Sequence, residues 1–131
     1  MALLYSAVAG LAAGCEKKIV DPVRAEVDFG DPKAVTAALF WAAAHDDDTH
    51  LASLCDPRGE NDTDTDRVCA LTRRSSDWPA FREAFARGRL DGEPRVHGDH
   101  AAIYFVFGPR VDQSETMELV RRDGRWYLWG F

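Results

Sequence analysis

The chain has 131 residues, a formal net charge of −6 and a pI near 5.1, with 29% charged and 46% apolar residues. This is the arithmetic of one globular domain with enough length for a core, not of a disordered or fibrous chain. It also argues against a nucleic-acid binder that works by phosphate neutralisation.

Residues 1–14 carry no charge. They form an apolar and small-residue run shorter than the roughly 18 residues of a spanning helix, and read as the apolar core and cleavage zone of an export signal. The cysteines number three, an odd count for so small a chain. The first closes the run Leu11-Ala12-Ala13-Gly14-Cys15.

That run resembles the lipobox of bacterial lipoproteins, in which small residues precede an acylated cysteine. Ala13 and Gly14 match it, and Ala12 stands where leucine is usual. The resemblance implies a signal peptide over residues 1–14 and lipid on Cys15. It implies a membrane as partner through that lipid, in the bacterial cell envelope on the extracytoplasmic side. Two or more acyl chains anchor stably where one is marginal, at about 0.8 kcal/mol per buried CH₂. Residues 15–29, broken by Pro22 and without a sustained period, read as a tether with a reach on the order of 20 Å.

A domain is expected over residues 30–131. Asp31-Pro32 is a helix start, with Asp as cap and Pro at the first position. Val35, Ala38, Leu39 and Ala42 follow at helical spacing, with Phe40 and Trp41 widening the apolar face, so a helix is expected to about His45. Asp46-Asp47-Asp48 breaks it, and a short helix at Leu51, Ala52, Leu54 and Cys55 ends at Asp56-Pro57. Between positions 46 and 66 there are eight acids against Arg58 as the single base, an acidic loop that holds the chain's net charge. A weak helix is expected over 68–74. A clearer one starts at Asp77-Trp78-Pro79, carries Phe81, Ala84 and Phe85 on one face, and stops at Gly88.

Beyond Gly92 the period becomes two. Residues 95–97 and 101–107 flank Gly98-Asp99, which suits a type II′ turn. Ile103, Phe105 and Phe107 share one face, Tyr104 and Val106 the other. Strands over 115–122 and 126–131 flank Asp123-Gly124, a type I′ signal. Helices followed by an antiparallel meander make an α+β domain.

The Phe40-Trp41 helix with Leu51 and Leu54 behind a polar break, the Val96-x-Gly98-Asp99-x-Ala101 hairpin and the run from Leu119 to Trp126 together resemble the cone-shaped NTF2-like superfamily, which includes SnoaL-like and ketosteroid-isomerase-like domains. The resemblance implies N-terminal helices packed on a curved antiparallel sheet. These features specify packing, not chemistry.

With Cys15 assigned to lipid, Cys55 and Cys69 remain as an even pair in an oxidising compartment. A disulfide between them would close a loop of about 15 residues, worth on the order of 3 kcal/mol. Two free buried thiols are the competing reading.

No pattern predicts a cofactor or a metal. His45 and His50 are five apart, not the four that would aim both at one ion from a helix. Asp62-x-Asp64-x-Asp66 opens like a calcium loop, but Arg67 and Arg73 occupy the positions of its glycine and glutamate. Asn61-Asp62-Thr63 matches a glycosylation sequon with little force in a bacterial chain. No nucleophile elbow is present, and no catalytic residue is assigned. Four Trp, three Tyr and seven Phe suggest a candidate pocket of Trp41, Phe81, Phe85, Tyr104 and Trp126 for a small ligand or a protein partner, with plain core filling as the competing account. The alternative is an isomerase- or cyclase-type enzyme in the cone, with Tyr104 beside Asp99 or His100.

Overall fold

The computed structural model describes residues 26–131. The lipobox-like run, Cys15 and most of the tether lie outside the described residues. No helix among the described residues is long and apolar enough to cross a membrane.

Helix α1 spans Pro32–Ala44. Asp31 caps it by accepting the Lys33 N–H at 2.9 Å, and Pro32 sits in the first turn, where its missing N–H costs nothing. Val35, Leu39, Phe40 and Ala43 face the core. A 3₁₀ turn at Ala52–Leu54 takes the place of the short helix expected there.

Helix α2 spans Thr63–Cys69, so it begins inside the stretch expected to be a loop, five residues ahead of the helix expected over 68–74, and overlaps that helix only at Val68 and Cys69. The reason is capping. Asp62 accepts the Thr65 N–H at 2.8 Å, and Asp64 and Asp66 lie in the first turn, where the helix dipole favours acids. Helix α3 spans Trp78–Phe85. Gly88 follows it because the chain passes close to a ring: a Cβ there would lie 2.5 Å from Phe40 Cδ1.

The strands are β1 Arg89–Leu90, β2 Arg95–His97, β3 His100–Phe107, β4 Gln113–Arg122 and β5 Arg125–Gly130. All pair antiparallel in the order β1-β3-β4-β5, with β2 also on β3. β1, too short to show a period, is an addition to the elements expected. Gly98 has φ 59° at the first turn, and Asp123 and Gly124 have φ 54° and 79° at the second, the backbone those two-residue hairpins require. Ala101, Ile103, Phe105, Met117, Leu119 and Leu128 lie buried beneath the helices. The chain is α+β, with three helices among the described residues on one face of a five-stranded antiparallel sheet.

Aromatic rings fill the space between the layers. Phe40 lies 5.6 Å from Phe105, Phe81 5.4 Å from Phe85, and Phe85 5.4 Å from Phe107 and 5.9 Å from Phe131.

The outer edge of β5 is strapped. Leu128 O accepts the Asp56 N–H at 3.1 Å and the Asn61 side-chain amide at 2.7 Å, and Trp129 O accepts the Asp62 N–H at 3.0 Å. A disulfide joins Cys55, where the strap begins, to Cys69 at the end of α2. The Asp56 side chain is fully buried and meets Arg122 through two bonds, Nε to Oδ1 at 3.0 Å and Nη2 to Oδ2 at 2.9 Å, while Arg122 also reaches Glu60 at 3.1 Å.

The tether expected through residue 29 ends earlier. Val27 and Phe29 pack on the core, the Phe29 ring lies 5.5 Å from that of Tyr127, and Phe29 O accepts the Trp126 N–H at 2.8 Å. Two apolar side chains separated by one residue are enough to dock this segment.

Candidate functional site

The five aromatic residues expected to share one pocket do not. Phe81, Phe85 and Trp126 are core residues, and Trp126 lies under the Arg121 guanidinium at 5.0 Å. Tyr104 is 49% exposed on the sheet face away from the helices, with the Arg95 guanidinium 4.5 Å over its ring. Strand alternation is the cause: Ile103 and Phe105 point to the helices, so Tyr104 cannot. Trp41 stands apart on the flank of α1.

The isomerase-like constellation is not assembled either. Tyr104 and His100 are four residues apart on β3, roughly 13 Å by strand rise, and His100 packs against Trp129 at 5.0 Å. The Asp99 carboxylate is taken by Arg121 Nε at 3.2 Å.

Trp41 leads to the apolar concavity. Ala34, Ala37, Ala38 and Trp41 recur at helical spacing on one flank of α1, beside the face that enters the core. The chain then reverses at Asp46, a non-glycine residue at φ 54° just past the helix end. There the Asp47 N–H reaches back to Ala42 O at 3.0 Å. The Asp46 carboxylate holds this reversal by accepting Trp78 Nε1 at 2.7 Å and Arg73 Nη2 at 3.2 Å. The indole hydrogen bond, with Arg73 and Arg82 alongside, keeps that carboxyl below its ordinary pKa.

The returning chain brings Leu51 and Leu54 opposite the alanine flank, and Val27 closes one end. The result is an open groove of about 420 Å³ with Trp41 in its wall. The Trp41 indole is half-buried and stacks on His45 at 4.4 Å, and its Nε1 is enclosed without a protein acceptor. A second hollow of about 590 Å³, bordered by Phe29, Asp56, Arg125 and Tyr127, adjoins it and shares Glu26, Val27 and His50.

The acids of the 46–66 stretch are largely engaged. Asp56 titrates below its ordinary value because Arg122 hydrogen-bonds it, helped by the N–H groups of Arg58 and Glu60. Burial pushes Asp62 up, but bonds accepted from Thr65 and the Phe131 N–H outweigh it and leave the pKa lowered. Asp62 is thereby a helix cap, and Asp64 pairs with Arg67 at 3.6 Å on the surface, so the calcium-like spacing does not converge. His45 Nδ1 lies 3.1 Å from Trp41 O, while His50 sits at the groove mouth. Among the described residues no group of three or more His, Cys, Asp or Glu could hold a metal ion.

No protein-family model and no curated protein matches the chain. It is similar to the solution structure of a SEC-C motif containing protein from Rhodopseudomonas palustris, at 18% identity over 78% of this chain and 77% of that one, with a TM-score of 0.48.

Proposed function

We propose that the chain is an exported, lipid-anchored envelope protein whose NTF2-like domain is a binding module, taking a small apolar ligand in the groove beside Trp41. The observation that carries this reading is the division of apolar surface. Phe40, Phe81, Phe85, Phe105, Phe107 and Phe131 occupy the interior between helices and sheet, whereas the flank of Ala34, Ala37, Ala38 and Trp41 faces an open concavity of about 420 Å³. That volume lies in the range of small-molecule sites. The anchor reading is supported by the lipobox-like run ending at Cys15, and a Cys55–Cys69 disulfide suits an oxidising compartment. The order of elements, helices before an antiparallel meander, supports the NTF2-like reading. The isomerase-type alternative is less well supported, because rings fill the interior it needs.

A neutral fluorophore such as N-phenyl-1-naphthylamine tests the groove. Ala37 is exposed on its wall, so Ala37→Phe should narrow the groove without entering the core. The expected result is at least about a tenfold loss of probe affinity, equivalent to roughly 1.4 kcal/mol, with an unchanged melting temperature. Equal affinity in both proteins refutes the site. A protein ligand instead of a small molecule would show as no probe binding together with crosslinks at Trp41 in the native envelope.

A further inference from the structure

We propose that His97 and His100 form a two-imidazole site for a divalent transition ion, Zn²⁺, Ni²⁺ or Cu²⁺, on the sheet face away from the helices. The hairpin places them. His97 ends β2, His100 begins β3, and the two are direct cross-strand partners around the two-residue turn Gly98-Asp99. Residues paired in this way leave the same face of the sheet with Cβ atoms about 5 Å apart. One ion that accepts two imidazole nitrogens at about 2.0–2.1 Å closes that gap. Both residues line one hollow of about 230 Å³, where the short side chain of Ala102 leaves the rings room.

Arg121 holds the turn that sets this spacing. Its backbone N–H donates to Asp99 O at 2.8 Å, its Nη2 to Gly98 O at 2.9 Å and its Nε to the Asp99 carboxylate at 3.2 Å. The backbone is thus fixed before an ion arrives, and only side-chain freedom is lost on binding. Trp129 packs on the His100 ring at 5.0 Å and limits that ring further. Neither imidazole is hydrogen-bonded to a described residue, whereas His45 Nδ1 lies against Trp41 O at 3.1 Å. Arg95 also lines the hollow, but its guanidinium lies over the Tyr104 ring at 4.5 Å, and Glu118 supplies a carboxylate there. Imidazole suits Zn²⁺, Ni²⁺ and Cu²⁺, while Ca²⁺ and Mg²⁺ take oxygen ligands. Among the described residues no third His, Cys, Asp or Glu groups with the pair to hold a metal ion, so water fills the remaining positions and the ion exchanges readily.

The test is calorimetric titration of Zn²⁺ into the full chain carrying Cys15→Ser, which removes the one cysteine outside the disulfide. One ion per chain is expected, and His97→Asn and His100→Asn should each weaken binding by at least about tenfold. Both residues are exposed, so the metal-free melting temperatures should stay unchanged. Zn²⁺ should raise the melting temperature of the parent chain but of neither variant. His45→Asn/His50→Asn, which removes the other two histidines, should keep the full affinity, and excess Mg²⁺ or Ca²⁺ should not compete. Cu²⁺ should quench the indole beside His100, and Trp129→Phe should remove most of that quenching. Absence of Zn²⁺ binding overturns the inference, as does parental affinity in either single variant. Loss of the ion from the His45→Asn/His50→Asn chain, or quenching that survives Trp129→Phe, overturns it as well by placing the ion elsewhere.

Discussion

Tyr104 and Phe105 are adjacent in β3 and belong to opposite worlds: Phe105 is completely buried among Phe40, Phe85 and Phe107, whereas Tyr104 is half exposed under Arg95. Phe105→Ala is therefore expected to destabilise the fold by about 3–5 kcal/mol. Tyr104→Ala should cost less than about 1 kcal/mol, as a surface change. Urea denaturation of both variants checks the pair, and comparable losses would mean that the sheet faces have been assigned wrongly.

Asp56→Ala removes both bonds to Arg122 and the turn bonds to the Arg58 and Glu60 N–H groups. A loss of about 2–4 kcal/mol is expected. Glu60→Gln, at the exposed end of the same network, should shift stability by less than about 0.5 kcal/mol.

Acid should unfold the protein through the same residue. The folded pKa of Asp56 is depressed, so its contribution is present above the unfolded value of about 3.9 and is lost as pH falls through the lower folded value. Asp62 acts in the same direction. Stability should fall below about pH 4, and Asp56→Asn should flatten that limb of the curve in thermal melts at graded pH.

Reduction of the Cys55–Cys69 bond should lower stability by about 3 kcal/mol in the chain-entropy account. Urea titrations with and without reductant measure this, and non-reducing mass spectrometry should find the two cysteines joined. Cys15→Ser should abolish partitioning into a detergent phase and labelling by a fatty-acid analogue, and unchanged partitioning would refute the anchor.

Gly88→Ala is expected to cost about 1–3 kcal/mol by overpacking against Phe40. Combination with Phe40→Leu, which frees the ring's space, should recover part of that loss relative to Phe40→Leu alone.

The elements with strong local chemistry were legible in the sequence. Asp31-Pro32 marks the start of α1 and Gly98-Asp99 and Asp123-Gly124 mark the hairpins, because each depends on a cap or turn that a few residues decide. α2 was harder: Asp62, Asp64 and Asp66 look like solvated loop, and only the cap bond to Thr65 reveals a helix start. The site was least legible. Grouping aromatics by type joined Tyr104 to Phe81, although the alternation of β3 already placed Tyr104 opposite Ile103 and Phe105. Trp41 was singled out, but its partners Leu51, Leu54 and Val27 come from segments whose approach depends on the reversal at Asp46, a tertiary fact.

The strap over β5 bears on self-association. Fibre growth by strand pairing needs two free edges, one to accept each new molecule and one to offer the next. Here one edge is occupied by the chain itself through Asp56, Asn61 and Asp62, and the other is divided between strands of two and three residues. Any chance docking of two copies along that remaining edge ends in a pair with no place for a third.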